Sequence, residues 1–278
     1  MTVEISAQLV KQLRDRTGAG MMDAKRALQE VGGDIEKAID VLRTKGLAKA
    51  AKKGEREANA GAVVIKVLDR LGVVVEVNSE TDFVARNENF HKFVNMVVDK
   101  AFLAGAELEK TMDTAMQEEL ATQIATIGEK LDVRRMDKVE AGHIISYVHN
   151  KFADGIGTIG VLVGIESSAD GAKAAEIGEQ IAMHIATSSP QFLDIADVDE
   201  ATLEREKVVA KEKAIAAGKP VDIAEKMVAG AIKKYYDEVV LVEQAFFIDP
   251  AKKIKDVVRS ISDDAKIVKF IRYQVGKK

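Results

Sequence analysis

Cysteine is absent from the 278-residue chain, which excludes disulfide bonds and thiol chemistry. Aromatic residues make up only 5% of the chain and tryptophan is missing, although 47% of the residues are hydrophobic. We therefore expect a sizeable core that is mostly aliphatic. No apolar run approaches the roughly 20 residues that a membrane span needs, and the N-terminus lacks an apolar signal segment. These absences favour a cytoplasmic protein without a membrane partner.

An excess of basic residues is also missing. Charged residues make up 31% of the chain, but the formal net charge is -4 and the sequence pI is about 5.8. A protein that binds nucleic acid over its whole surface is usually basic, so we expect no direct nucleic-acid partner. The basic stretch "KAAKK" at residues 49–53 is interpreted as a solvated helix face, with a phosphate contact as the alternative.

The motifs of common enzyme sites are absent as well. The sequence has no phosphate loop of the G-x-x-x-x-G-K-[ST] type and no G-x-S-x-G elbow. "GIGTIG" at residues 155–160 lies in a predicted hairpin turn, where a dinucleotide fingerprint does not belong. His143 and His149 fall on one face of a strand about 20 Å apart, too far to share a metal. We expect no active site, no cofactor and no metal, and the histidines are interpreted as surface or hydrogen-bonded residues.

Residues 1–46 are predicted to form three short helices. Ser6 is a candidate N-cap of the first and Asp34 of the third, while Gly18 and Gly46 are candidate stop signals. The apolar positions recur at helical spacing, at Leu9, Val10, Leu13, Ala24, Ala27, Leu28, Val31, Ile35, Ala38, Ile39 and Leu42. Residues 47–60 then mix charges of both signs and are predicted to be a linker that is helical at first.

A hairpin followed by a helix occurs twice in the next part of the chain. Two β-branched runs flank the turn at residues 69–72, and a second hairpin spans residues 143–166. The first hairpin precedes helices that carry Phe90, Phe93, Val94, Val97 and Ala101, and then Leu120, Ile124, Ile127 and Leu131. The second precedes a helix that ends before Pro190. We infer a duplication, with one core subdomain at residues 61–141 and another at residues 142–278.

Residues 199–237 interrupt the second subdomain with a segment rich in Ala, Glu and Lys. Gly218 is predicted to end one helix and Pro220 to start the next, which favours an antiparallel helical hairpin that projects from the body. After it, residues 239–248 and 266–275 are predicted strands, with a helix at residues 250–261 between them. The whole pattern predicts an α+β fold with antiparallel sheets.

The segment "TDFVA" at residues 81–85 places a large aromatic residue beside an acid just after a predicted strand. Phe83 is out of register with the apolar stripe of Phe90 and Phe93, which favours a loop position with a role outside the core. Two alternatives remain open from the residues alone. Phe83 could cap the core beneath the next helix, and Ser79 or Thr81 could be only a helix N-cap.

Four stretches resemble the translation elongation factor Ts family, in the family's order and over nearly the whole chain. They are "RTGAGMMDAKRAL", "EVNSETDFVARN", "IAMHIATSSPQFL" and "GKPVDIAEKMVAGAIKKYYDEVVLVEQAF". The resemblance implies a guanine-nucleotide exchange factor that binds elongation factor Tu in its GDP- or GTP-bound form. It also implies a UBA-like N-terminal domain, two related core subdomains and an inserted coiled-coil hairpin.

The resemblance also implies roles for particular residues. Thr81, Asp82, Phe83 and Val84 match the part of the family that disturbs the Mg²⁺ site of the GTPase. Met21 and Met22 match a docking contact, with filling of the core as the alternative, and His149 matches a histidine near the partner. The chain ends at "VGKK", before a C-terminal helix that some members have, so we expect binding to depend on the N-terminal domain and the core.

Two other functions and the assembly state stay open at this point. One alternative is an RNA- or ribosome-binding module that uses "KAAKK", and the other is an enzyme. The acidic pI argues against the first, and the missing motifs argue against the second. For the oligomeric state, the candidates are a homodimer and a 2:2 complex with the partner.

Overall fold

Helices and antiparallel strands make up the computed structural model, which describes residues 5–277 apart from the side chains of Leu47 and Lys49. The helices are α1 (Ala7–Thr17), α2 (Met21–Glu30), α3 (Ile35–Lys53), α4 (Asp82–Ala85), α5 (Glu88–Leu103), α6 (Leu108–Thr111), α7 (Thr114–Ile127), α8 (Gly171–Ser188), α9 (Glu200–Ala216), α10 (Val221–Val239) and α11 (Ile254–Arg259). The strands are β1 (Ala60–Leu68), β2 (Leu71–Ser79), β3 (Leu131–Glu140), β4 (His143–Ala153), β5 (Ile156–Glu166) and β6 (Lys266–Gln274). The predicted α+β class with antiparallel sheets is confirmed.

The first three helices form where the sequence predicts them. The hydroxyl of Ser6 accepts the N–H of Leu9, and Gly18 ends α1 in the left-handed conformation with φ 66°. The carboxylate of Asp34 accepts the N–H of Lys37 at 3.1 Å and so caps α3. Their shared core is small and consists of Val10, Leu13, Ala24, Ala27, Leu28 and Ala38.

The prediction that Gly46 ends the third helix is wrong. Helix α3 continues to Lys53 and therefore includes the first seven residues of the predicted linker. Gly46 is buried inside this helix, where a Cβ atom would lie 3.4 Å from the Cβ of Ala125 and 3.6 Å from the carbonyl oxygen of Ala121. Gly46 therefore lies at the contact between α3 and α7, and it does not break the helix.

One six-stranded antiparallel sheet forms the body, and it has two halves of three strands, called here the first sheet (order β3-β2-β1) and the second sheet (order β4-β5-β6). They join where β1 pairs with β5 at Val63–Gly157 and Val64–Ile156. The outer face of the first sheet packs against α5 and α7, and the outer face of the second packs against α8 and α11. The inner faces share a third cluster that contains Val63, Val74, Val139, Leu162 and Ile271. The layers therefore run helix, sheet, sheet, helix.

Both predicted hairpins are confirmed, but the helix predicted at residues 116–131 ends earlier. Helix α7 ends at Ile127, Gly128 follows in the left-handed conformation with φ 86°, and Leu131 begins strand β3. That strand was not predicted. Its central residues, "RRMDK", are only partly buried at the edge of the first sheet, so the strand lacks a clear apolar alternation.

The strand predicted at residues 239–248 is also wrong. Helix α10 continues to Val239, a short 3-10 helix covers Leu241–Glu243, and pairing in this stretch is limited to isolated bridges such as Phe192–Val240. The apolar residues Leu241 and Phe246 are nevertheless buried, which explains why the pattern looked like a strand. The helix predicted at residues 250–261 forms only over Ile254–Arg259, and the last strand, β6, is confirmed.

Helices α9 and α10 form the hairpin predicted over residues 199–237. Gly218, with φ 76°, lies in the turn, and Pro220 occupies the N-cap position of α10. The ammonium of Lys211 donates a hydrogen bond of 2.8 Å to Glu225 across the pair. Among the described residues, no helix is long and apolar enough to cross a membrane.

Candidate functional site

The segment after β2 forms a single helical turn, α4, rather than a loop. Successive side chains of this turn point in opposite directions: Phe83 is 81% exposed, whereas Val84 is 8% exposed and belongs to the core between the first sheet and its helices. Asp82 is exposed beside Phe83. The alternative in which Phe83 caps the core is therefore wrong, and Val84 is the residue that anchors the turn.

Thr81 is held at the start of this turn by Glu129. One carboxylate oxygen accepts the N–H of Thr81 at 2.9 Å, and the other accepts the Thr81 hydroxyl at 2.7 Å. The hydroxyl of Ser79 donates to the carbonyl of Thr81 at 2.8 Å. Thr81 occupies the N-cap position of α4, but its side chain does not cap the helix. The alternative in which Ser79 or Thr81 is only a side-chain cap is therefore wrong.

Contacts with other parts of the chain also hold the end of the turn. The ring of His91 donates from Nε2 to the carbonyl of Ala85 at 2.8 Å. The guanidinium of Arg86 lies over the ring of Phe152, with 5.0 Å from Cζ to the ring centroid. Because Phe152 is on β4, this cation–π contact joins the turn to the second sheet. Phe83 therefore projects from a turn that is fixed on both sides.

His149 lies on the same strand as Phe152 and is half-buried. Its Nδ1 is 3.1 Å from the hydroxyl of Tyr147, and the two ring centroids are 6.1 Å apart. This geometry agrees with the expectation of a hydrogen-bonded histidine. The ring is still partly accessible, so a contact with a partner remains a prediction.

The two methionines of "TGAGMMD" lie in the first turn of α2, after Gly20. Met21 is 61% exposed and Met22 is 65% exposed, so the alternative in which they fill the core is wrong. Exposed methionines form adaptable apolar contacts, which suits a docking surface.

Two basic residues at or near "KAAKK", Lys53 and Lys130, contact the chain itself. The ammonium of Lys53 donates to the carbonyl of Gly128, and that of Lys130 donates to the carbonyls of Gly54 and Arg56, both at 2.8 Å. The carboxylate of Glu80 accepts the N–H of Lys130 at 2.6 Å, which is the main cause that lowers the pKa of Glu80. Lys53 and Lys130 therefore hold the end of α3 beside the turn after α7.

Residues of α1, α2, α3, α5 and α7 line a cleft of about 720 Å³. Four of its basic side chains form ion pairs with nearby carboxylates, namely Arg16–Glu36, Arg26–Asp23, Arg43–Glu118 and Lys45–Glu30. These cations are therefore engaged within the chain, and the cleft is not assigned to a phosphate ligand. Residues 5–277 also contain no cluster of three or more His, Asp or Glu side chains that could hold a metal ion.

The sequence model of the family described as Elongation factor TS matches residues 80–277. The chain belongs to the elongation factor Ts family. It is 47% identical to elongation factor Ts of Rhodospirillum centenum over 99% of this chain and 94% of that relative. It is 47% identical to the factor of Rickettsia felis and 48% identical to that of Rickettsia typhi, over 99% of this chain and 93% of each relative. Members of the elongation factor Ts family are translation elongation factors, and this chain is one of them.

The family resemblance pointed to Thr81–Val84 but not to the residues that hold this segment. Glu129 and Phe152 are distant from α4 along the chain and only the fold brings them beside it, whereas His91 lies six residues after Ala85 on the next helix. The elongation factor Ts motif "TDFVA" therefore depends on contacts that no local pattern in the sequence reveals.

Proposed function

We propose that this chain binds elongation factor Tu and accelerates the release of GDP and its exchange for GTP. The segment Thr81–Val84 disturbs the Mg²⁺ and phosphate site of that GTPase. The observation that carries the proposal is Phe83, a large aromatic side chain that is 81% exposed on a turn fixed at both ends. The factor has no active site of its own in this mechanism and does not hold the nucleotide.

The free energy needed for nucleotide release is compatible with insertion of the Phe83 side chain into the partner as a wedge. A GTPase holds GDP through backbone amides, a lysine and a Mg²⁺ ion, and nanomolar affinity corresponds to about 12 kcal/mol. Burial of one aromatic side chain removes about 150–250 Å² from water, worth up to about 4–6 kcal/mol before ordering costs. Since each 1.4 kcal/mol is about a factor of ten, insertion of Phe83 can supply a several-hundredfold acceleration.

Coupling between the two ligands of the GTPase is reciprocal. The exchange protein lowers the affinity of the GTPase for GDP by a certain ratio. GDP lowers the affinity of the GTPase for the exchange protein by the same ratio. Phe83 supplies the apolar contact, and the exposed carboxylate of Asp82 competes for polar or cationic groups that organise the Mg²⁺ site. Thr81 and Val84 serve in the same segment as its anchors, because their polar groups and side chain are engaged within the chain.

Two further contacts position Phe83 on the partner. Met21 and Met22 dock on the nucleotide-binding domain of the partner, and His149 supplies a contact from the second sheet. In this proposal the chain divides into a UBA-like domain at residues 1–46, a linker at residues 47–60 and core subdomains at residues 61–141 and 142–278. The hairpin at residues 199–237 is a coiled-coil insertion in the second subdomain.

The test uses elongation factor Tu loaded with a fluorescent GDP and a catalytic amount of this protein. We expect rapid release with the wild-type chain and a large loss of rate with Phe83→Ala. Leu103→Ala is a matched control, because Leu103 is also a large exposed apolar residue, at 88%, and it ends the helix that follows the segment. This control should keep the wild-type rate.

The outcomes separate the two parts of the proposal. If the wild-type chain does not accelerate release, exchange activity is refuted. If Phe83→Ala keeps the full rate, exchange stands and the assignment of the segment is refuted. RNA binding that weakens with salt, without any exchange, would favour the RNA-binding alternative.

A further inference from the structure

We infer that Glu129 is a positioning residue for exchange: it fixes the direction in which Asp82 and Phe83 project by holding both polar groups of Thr81. This inference rests on the proposed function and adds a residue that does not touch the partner. Glu129 lies 46 positions after Phe83 along the chain, in the turn between α7 and β3, and it reaches the segment only through the fold.

The geometry of the contact is suited to holding an orientation. Both carboxylate oxygens of Glu129 are used, one for the N–H of Thr81 at 2.9 Å and one for its hydroxyl at 2.7 Å. Two hydrogen bonds to one ionised group restrain rotation better than a single bond does. Thr81 is the last extended residue before α4, with φ -125° and ψ 158°, so rotation about its backbone would swing the following turn.

The turn that carries Glu129 is itself held on both sides. The carbonyl of Gly128 accepts a hydrogen bond from Lys53 of α3, and the N–H of Lys130 donates to Glu80 at 2.6 Å. Glu80 directly precedes Thr81, so the α7–β3 turn contacts both the first residue of the Thr81–Val84 segment and the residue before it. The same turn thereby connects the segment to α3. This helix packs with α1 and with α2, the helix that carries Met21.

The expected effect is a loss of preorganisation. Without the Glu129 carboxylate, the N–H and hydroxyl of Thr81 bind water, and the turn samples orientations in which Phe83 does not meet the partner. The partner must then order the segment during binding, which lowers the rate of exchange. Hydrogen bonds to charged groups are among the stronger ones, so we expect the exchange rate to fall about tenfold or more in Glu129→Ala.

The test combines substitutions at both ends of the contact. Glu129→Gln should keep most of the rate, because the amide oxygen can accept the N–H of Thr81 while the NH2 group donates to its hydroxyl. Thr81→Val removes only the hydroxyl contact and should have an intermediate effect. Glu166→Ala is the matched control: its carboxylate accepts the N–H of Gly142 at 2.8 Å in another turn of the body. This control should not change the exchange rate.

A purely structural role of Glu129 would lower the exchange rate equally with and without Phe83. Glu129→Ala should lower exchange in the wild-type background but add little in a Phe83→Ala background, measured at a raised factor concentration where residual exchange is detectable. The positioning role is overturned if Glu129→Ala keeps the wild-type rate, if it lowers the rate equally in both backgrounds, or if Glu166→Ala lowers the rate as much. A wild-type chain without exchange activity would instead refute the function on which the inference rests.

Discussion

Arg135 donates from Nε to the fully buried carboxylate of Glu76 at 2.7 Å, across the pairing of β3 with β2. The N–H of Gly276, beyond the end of β6, donates to the same carboxylate at 2.9 Å. The guanidinium also donates to the carbonyl of Lys277 at 2.9 Å and lies 4.2 Å from the ring centroid of Tyr273. This ion pair, in which the carboxylate is fully buried and Arg135 is partly exposed, therefore joins the first sheet to the residues that follow the last strand of the second.

We predict that Arg135→Met strongly destabilises the fold. The substitution leaves the Glu76 carboxylate buried without its cation, and breaking a buried pair in this way typically costs about 3–5 kcal/mol. Urea unfolding measures the change in the free energy of unfolding. A change below about 1 kcal/mol, the range of an exposed ion pair, would contradict the prediction. The double variant Glu76→Met with Arg135→Met should recover part of the loss, because it leaves no unpaired charge in the interior.

Gly46→Ala should stabilise the chain by up to about 1 kcal/mol, because alanine favours helix over glycine. The new Cβ atom would lie at ordinary contact distance, 3.4 Å from the Cβ of Ala125. Gly46→Leu does not fit against α7 and should destabilise the chain. Thermal unfolding of both variants checks the prediction. If Gly46 were instead a left-handed helix stop, as its sequence context suggested, Gly46→Ala would lower the stability.

Local signals predicted the helices and hairpins well where one residue type has one dominant role. Ser6 and Asp34 accept N–H groups as caps because their side chains are short and polar, and Gly18 ends a helix because it adopts positive φ easily. Gly46 and Gly128 show the limit of such signals. Gly128 ends α7 in the left-handed conformation, whereas Gly46 lies inside α3 at its contact with α7.

Long-range contacts were beyond the reach of sequence patterns. The edge strand β3 carries charged residues because Arg135 and Asp137 contact distant segments, so its alternation is obscured. In the candidate site, the family resemblance pointed to the exposed Phe83, but Glu129 and Phe152 reach the segment through tertiary structure. Local patterns identify what the segment presents, whereas the residues that orient it depend on the fold.

Substitutions at two neighbouring residues of the Thr81–Val84 segment should change the stability by very different amounts. Val84→Ala removes two buried methyl groups and should destabilise the fold by roughly 1–2 kcal/mol. Phe83→Ala should change stability by less than about 0.5 kcal/mol, because its side chain is 81% exposed. Urea unfolding of the two variants measures this difference. If Phe83→Ala destabilised the chain as much as Val84→Ala, the ring would have to pack inside the protein, and the wedge mechanism would lose its basis.

His184 should make stability depend on pH. Burial lowers its pKa below the ordinary value of 6.5, and the 2.8 Å hydrogen bond with Gln244 acts in the opposite direction but is the smaller cause. In the unfolded chain the ordinary pKa returns, so the unfolded state binds the proton more readily. The stability contributed by neutral His184 is therefore complete above pH 6.5 and is lost as the pH falls through that value toward the lowered pKa of the folded state. We expect the free energy of unfolding, measured with urea, to fall between about pH 7.5 and about pH 5.5. The decrease should be larger for the wild type than for His184→Gln, whose amide does not titrate. Equal losses in the two proteins would show that the imidazole takes up a proton as easily in the folded state as in the unfolded one.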